Sequence, residues 1–229
     1  MRTTVILALD SAVYEVGMSG VPIYNVNNNC ATGSSAIHLA KNLIAGGVYS
    51  CVLAAGFEKM ERGSLGLKFP DRTSPLQNFV EKSIELCPSD KVPKAFAPLM
   101  FGNAGMEHMK VYGTKPEHFA KIAAKNHRHS LNNPYSQFRK GYSLDEILKS
   151  PHIHGVLTKL QCCPTSDGAG AAILCDEATM LKLKRQNEAV EIVAMELTTD
   201  TPKAYESARE VIGFSMAKEC ARKGMVLPI

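Results

Sequence analysis

The sequence predicts an α/β layered domain interrupted by a long helical insertion. Three observations carry that prediction. Strand-length apolar runs occur at Val21–Val26, Ser50–Gly56 and Gly168–Cys175. A stripe of helical period lies between the first two runs. The stretch from Phe57 to Pro164 carries prolines and helix-start signals instead of strands.

The elements follow in order. Val21-Pro-Ile-Tyr-Asn-Val26 is β-branched, follows a turn at Gly20, and reads as a buried strand. Ala36, Ala40 and Leu43/Ile44 line one helical face, and Gly46-Gly47 supplies the stop. Ser50–Gly56 is a second strand, so strand, helix and strand make a βαβ crossover and a parallel sheet. In the insertion, Pro70, Pro75, Pro88, Pro93 and Pro98 cluster. Thr114-Lys-Pro-Glu117 places an N-cap Thr, an early Pro and a capping Glu in order, and Ser143-Leu-Asp-Glu146 repeats the box. Gly168–Cys175 then returns as a small-residue strand, and Asp176-Glu177 opens a helix with acid in its first turn. Glu191–Leu197 reads as a loose strand and Val211–Cys220 as a helix.

Composition narrows the function. With 229 residues at 45% apolar and 21% charged, the chain is neither disordered nor fibrous. Its longest apolar runs, Val5–Leu9 and Ala169–Cys175, fall far short of the roughly 20 residues of a membrane span. The 26 bases and 22 acids are scattered, aromatics are 7% and Trp is absent, which is not a nucleic-acid footprint. Seven irregularly spaced cysteines, with no Cys-x-x-Cys pair, read as reduced intracellular thiols. The start lacks the features of a signal peptide, and Val-Leu-Pro-Ile at the end is not a peroxisomal address.

The sharpest chemical feature is Asn27-Asn-Asn-Cys30-Ala-Thr-Gly-Ser-Ser, where a strand ends, the chain turns and a helix begins with Cys30. A helix start favours an anion, and so favours a thiolate there. Its unpaired N–H groups suit an oxyanion on an acyl carbonyl that the sulfur attacks. The arrangement parallels a nucleophile elbow with Cys in place of Ser. Two readings stay open: Cys30 as nucleophile, or as one more buried small hydrophobe. The asparagine run favours the first, since three amides are costly to bury without partners.

Other features carry less. Adjacent Cys162-Cys163 have no His or Cys partner at zinc-ligand spacing. His127-Arg-His129 and His152-Ile-His154 read as solvent-facing pairs. Gly168-Ala-Gly170 lacks phosphate-loop spacing. Lys218, Arg222 and Lys223 complement a helix end. No metal site is expected.

The Asn27–Ser34 segment and Gly56-Phe-Glu-Lys-Met60 resemble the thiolase domain of the sterol carrier protein X family. So do Gly63–Phe69, Met100-Phe-Gly102, Tyr112-Gly-Thr114, His118–Ile122, Asn132–Phe138 and Leu160–Gly168. The similarity runs in order from about Ala12 to Lys223. It implies thiolytic cleavage of branched or sterol-side-chain 3-oxoacyl-coenzyme A in peroxisomal fatty-acid and bile-acid β-oxidation, with Cys30 carrying the acyl group. Coenzyme A would be a substrate, and no cofactor or metal is implied. The implied organisation is a thiolase core from residues 12–56 and 165–186, a loop domain over 57–164 that helps bind coenzyme A, and the beginning of a C-terminal thiolase half over 187–229. The implied partners are acyl-coenzyme A and a second subunit, either a homodimer mate or a full-length thiolase. The implied compartment is the peroxisome, or the cytoplasm for a form that is not imported.

The chain also departs from the family. Met1–Ser11 does not match its opening strand and helix. The His-Asp-Cys-Phe segment and the Gly-His-Pro loop, which bring the family's catalytic histidines and second cysteine, have no match. General base catalysis is worth ~10²–10⁴ in rate and an oxyanion donor ~10²–10³, so this isolated chain is expected to turn over poorly. The alternative is a non-catalytic splice form or fragment that associates with full-length thiolase through the Val21–Asn29 edge or takes part in lipid binding or transfer.

Overall fold

The computed structural model describes residues 8–17, 19–60, 71–87, 93 and 95–225. Gly63–Phe69, Pro70, Pro88 and the residues before Ala8 and after Met225 lie outside them. The chain is α/β, as expected, and divides into two compact units, one of residues 1–59 and 167–197 and the other of 60–166 and 198–229.

The first unit holds helix α1 (Ala8–Val16), helix α2 (Thr32–Ala45), strand β1 (Cys51–Glu58), strand β4 (Gly168–Cys175) and helix α7 (Glu177–Lys182). The α2 stop is where the glycines place it: Gly46 caps the helix, and Gly47 takes the left-handed φ of 69° that a side chain would resist. β1 and β4 pair antiparallel over their whole length, from Cys51 opposite Cys175 to Glu58 opposite Gly168. Val52, Ala54 and Leu174 lie on the face covered by α2, and Leu174 and Ala40 are buried there. Leu53, Phe57 and Ile173 share the opposite face and are at least half exposed. Asp176 caps α7, its Oδ1 accepting from the Thr179 amide at 2.7 Å.

Two expectations are corrected here. Val21–Val26 and Glu191–Leu197 enter no ladder, and both sheets among the described residues are antiparallel. The parallel βαβ crossover is therefore absent from them. Strand propensity is a statement about neighbours, and a β-branched run becomes a strand only where another strand supplies its hydrogen bonds. Val21 and Val193 stay more than half exposed instead of buried.

The second unit is the helical one. It contains helix α3 (Gln77–Leu86), α4 (Phe96–Tyr112), α5 (Pro116–Ser130) and the short α6 (Leu144–Leu148). The small hairpin of β2 (His152–His154) and β3 (Leu157–Thr158) follows, then α8 (Ala208–Val211) and α9 (Phe214–Met225). Ser143 and Glu146 form the expected box: Ser143 N–H donates to Glu146 Oε2 at 2.8 Å, and the Glu146 amide donates to Ser143 Oγ at 3.2 Å. At α5 the cap shifts by one residue. Lys115 is the N-cap and its amide donates to His118 Nδ1, while Thr114 Oγ1 bonds His108 Nδ1 at 2.8 Å. Pro116 fixes that register, because proline fits the first helical position. The expected Val211–Cys220 helix is broken at Gly213, whose φ of 82° ends α8 before α9 begins.

Ala120, Ala123 and Ile147 form a small core with Tyr142, Leu144 and Leu160 around them. A second buried group ties α3, α4 and β2 together. His154 Nε2 donates to Asn103 Oδ1 at 2.7 Å, Asn103 Nδ2 to the Ser83 carbonyl at 2.9 Å, and Ser83 Oγ to the Phe79 carbonyl. Burial, then the neighbouring His152, hold the His154 imidazole below its ordinary pKa and so neutral. From the 198–225 segment, Arg209 Nε donates to Glu107 Oε1 on α4 at 2.8 Å, and its guanidinium lies 5.1 Å from the Phe214 ring.

α4 packs this closely because it presents glycine. A Cβ on Gly102 would come within 2.8 Å of the His154 carbonyl oxygen, which is backbone and cannot swing away. Alanine would add ~0.5–1 kcal/mol of helix propensity but force an overlap that typically costs ~1–3 kcal/mol. Gly102→Ala is thus expected to lower the urea midpoint of unfolding, and a rise in that midpoint would contradict the packing described.

Candidate functional site

Cys30 lies in a turn built by the asparagines themselves. The Asn29 amide donates to Asn27 Oδ1 at 3.2 Å, and Asn29 takes a φ of 49°, a left-handed conformation that Asn tolerates better than most residues. Asn28 N–H donates to Thr32 Oγ1 at 2.9 Å, and that hydroxyl donates onward to the Asn29 carbonyl at 2.6 Å. Asn28 Nδ2 donates to Ser35 Oγ at 2.9 Å. The turn is therefore locked onto the first turn of α2 by three side-chain bonds.

The three asparagines are exposed, so burial is not what they resolve. Their amides shape a tight turn, which is the commoner use of Asn before a helix. Cys30 is not the first helical residue either. Ala31 is the N-cap, with no side-chain capping bond, and α2 starts at Thr32. Nor is Cys30 buried: it is exposed, and its sulfur lies 3.9 Å from Asn29 Oδ1. The reading of Cys30 as a buried hydrophobe is thereby removed.

The helix start next to it is open. The Ala31 and Thr32 amides bond the Asn28 and Asn29 carbonyls, and the Ser35 amide bonds the Ala31 carbonyl. Among the described residues the Gly33 and Ser34 amides make no such bond, as expected at a first helical turn. A Cβ on Gly33 would meet nothing within 4 Å. An exposed thiol, two donor amides and open space are the parts needed to attack a carbonyl and hold the oxyanion that forms. The histidine of this unit, His38, sits two turns into α2, roughly 9 Å along the axis from Thr32, and lies 3.4 Å from Asn42 Nδ2. It is poorly placed to take the Cys30 proton.

The other candidates resolve as structure. His127 is half-buried, with Nε2 donating to the Leu160 carbonyl at 2.9 Å, and His154 is buried in the Asn103 pair. Neither faces solvent as expected, because each imidazole closes a backbone or amide bond. His129 and His152 are exposed. No group of three or more His, Cys, Asp or Glu among the described residues is arranged to hold a metal. Cys162 is half-buried and Cys163 exposed. Arg222 pairs with Glu219 on α9 at 2.8 Å.

One feature went unread in the sequence. Lys121, Lys125 and Arg128 lie on one face of α5 and line a cleft of about 470 Å³ with Tyr142, Ser143 and Leu144. The i, i+4, i+7 spacing of its bases was the available signal. Such a cleft suits an anionic, phosphate-bearing ligand.

The cysteines should separate by exposure. Burial, then Glu107, pushes the Cys87 thiol up, and burial, then Cys163, does the same for Cys162. Raised thiols hold less thiolate at neutral pH, and thiolate is the reacting form. Limited iodoacetamide at pH 7 is expected to label Cys30, Cys51 and Cys163 several-fold faster than Cys87 and Cys162 by peptide mapping. Equal rates would contradict these environments.

Comparison with known proteins points one way. The pattern of the thiolase N-terminal domain matches residues 7–178. The chain is 57% identical to sterol carrier protein 2 of Homo sapiens over 215 residues, which are 93% of this chain and 39% of that protein. It is 32% identical over 171 residues to a benzoylsuccinyl-CoA thiolase subunit of Thauera aromatica, covering 74% of this chain and 41% of the relative. Among solved structures, the Ltp2-ChsH2(DUF35) aldolase matches with a TM-score of 0.50 at 18% identity, over 65% of this chain and 36% of that one. The chain thus spans about two-fifths of the length of these relatives.

Proposed function

Because the chain belongs to the thiolase family, we propose that it is a thiolase-class acyltransferase domain in which Cys30 takes up the acyl group of a 3-oxoacyl-coenzyme A. The observation that carries this reading is the exposed Cys30 sulfur in a locked turn before two unbonded amides. The Cys30 thiolate attacks the C3 keto carbonyl, and the oxyanion is held by backbone N–H groups. The C2–C3 bond then breaks, the acyl group stays on sulfur, and C2 takes a proton and leaves as acetyl- or propionyl-coenzyme A. A second coenzyme A thiol attacks the thioester, carries off the shortened acyl chain and restores Cys30.

Branched and sterol-side-chain substrates, and the peroxisome as compartment, follow from the resemblance to the sterol carrier protein X family. Residues 57–164 act as the loop domain in this reading, 12–56 and 165–186 as the core, and 187–229 as the start of the second half. His38 is ill-placed as a general base, so the chain alone turns over slowly and gains rate when a partner subunit supplies a base. The Val21–Asn29 segment, of which Val21–Val26 lies outside any ladder, is the edge through which a second copy or a full-length thiolase would pair.

The test is release of shortened acyl-coenzyme A from a branched 3-oxoacyl-coenzyme A and free coenzyme A, with and without added full-length thiolase carrying its own nucleophile changed to Ser. Weak turnover that rises at least tenfold in the mixture and vanishes with Cys30→Ser supports the proposal. Turnover that survives Cys30→Ser, or none in the mixture, refutes it.

A further inference from the structure

The β1–β4 ladder places two thiols directly opposite one another. Cys51 opens β1 and Cys175 closes β4, and the register pairs them. Which kind of pair they form follows from one bond outside the strands: the Asp176 amide donates to the Ser50 carbonyl at 3.0 Å. Residues 50 and 176 are therefore a hydrogen-bonded pair. Pairs alternate along an antiparallel ladder, so Cys51 and Cys175 form a non-hydrogen-bonded one.

That phase decides the chemistry. Non-hydrogen-bonded partners have Cα atoms about 4.5 Å apart, against about 5.5 Å for the other kind, and their Cβ atoms are the closer of the two classes. A disulfide spans Cα separations of about 4.4–6.8 Å with Cβ atoms about 3.5–4.5 Å apart. Directly opposed residues also share a face. Here it is the face of Leu53 and Ile173, which α2 leaves open, and Cys51 is exposed while Cys175 is half-buried. The adjacent Cys162 and Cys163 have no such cross-strand geometry.

We propose that Cys51 and Cys175 form a reversible cross-strand disulfide, a thiol–disulfide site that accepts oxidation from a low-molecular-weight disulfide such as oxidised glutathione. The Cys51 thiolate attacks one sulfur of that disulfide, forming a mixed disulfide and releasing one small thiolate. The Cys175 thiolate then attacks the Cys51 sulfur and displaces the second. Two protein thiols are oxidised, one small disulfide is reduced to two thiols, and the two protein protons pass to solvent or to the released thiolates. The closed bond fastens together the strands at which the chain leaves for, and returns from, the segment 60–166. The inference does not rest on the thiolase reading.

The experiment equilibrates the full chain with an oxidised and reduced glutathione series, quenches in acid, alkylates, and maps peptides without reduction. The expected result is one linked peptide pair, Cys51 to Cys175, with Cys30, Cys87, Cys162, Cys163 and Cys220 still alkylated. Cys51→Ser and Cys175→Ser each abolish it. The double change Cys175→Ser with Leu174→Cys, which moves the thiol to the other face, does not restore it. In the oxidised protein, protease cuts confined to 60–166 leave fragments that run together until a reductant is added. Glutathione capping Cys51 while Cys175 stays alkylatable overturns the proposal, as does Cys51 pairing with any other cysteine.

Discussion

The pairing of Cys51–Glu58 with Gly168–Cys175 is the constraint on which the first unit depends. It joins segments separated by more than a hundred residues, so the closure entropy of that long loop opposes it. Eight consecutive register positions offset that cost, together with the burial of Leu174 and Ala40 under α2. With the ribbon formed, α2 has a surface to lie on, and with α2 fixed, the turn at its start has a fixed end. Lys59 and Asp167, 2.6 Å apart just beyond the ladder, mark where the chain departs and returns. Both are too exposed for their ion pair to contribute much.

The turn shows how an exposed thiol is positioned by local chemistry. Asn27, Asn28, Asn29, Thr32 and Ser35 shape the turn around Cys30 within one short stretch. Such a site is specified by sequence and anchored by the helix after it. Among the described residues of the first unit, the one histidine, His38, lies well along α2 and is turned toward Asn42.

Legibility in the sequence followed the range of the interactions. α2 with its glycine stop, the Ser143 box and the helix opened by Asp176-Glu177 were readable because each depends on residues a few positions apart, and β1 and β4 were readable as apolar runs although their pairing was not. Val21–Val26 and Glu191–Leu197 misled, because a strand needs a neighbour that no local pattern reveals. α4 gave no clear amphipathic stripe, since its buried residues are Leu99 and the run Gly102, Asn103, Ala104 and Gly105, which winds around the helix. Small residues there serve close approach by His154 and Val156, which only the fold discloses. Cys30 was singled out from its place between a strand end and a helix start, with the Asn run adding weight, although the run works by shaping an exposed turn and not by resolving a buried one.

The central claim is that Cys30 carries an acyl group, and it is tested most directly by catching that group. The chain is mixed with a branched 3-oxoacyl-coenzyme A in the absence of free coenzyme A, quenched in acid and mapped by mass spectrometry. The account predicts the mass of the shortened acyl chain on the peptide holding Cys30, discharged by added coenzyme A. Acylation of Cys51 or Cys163 in its place, or of no cysteine, would contradict it.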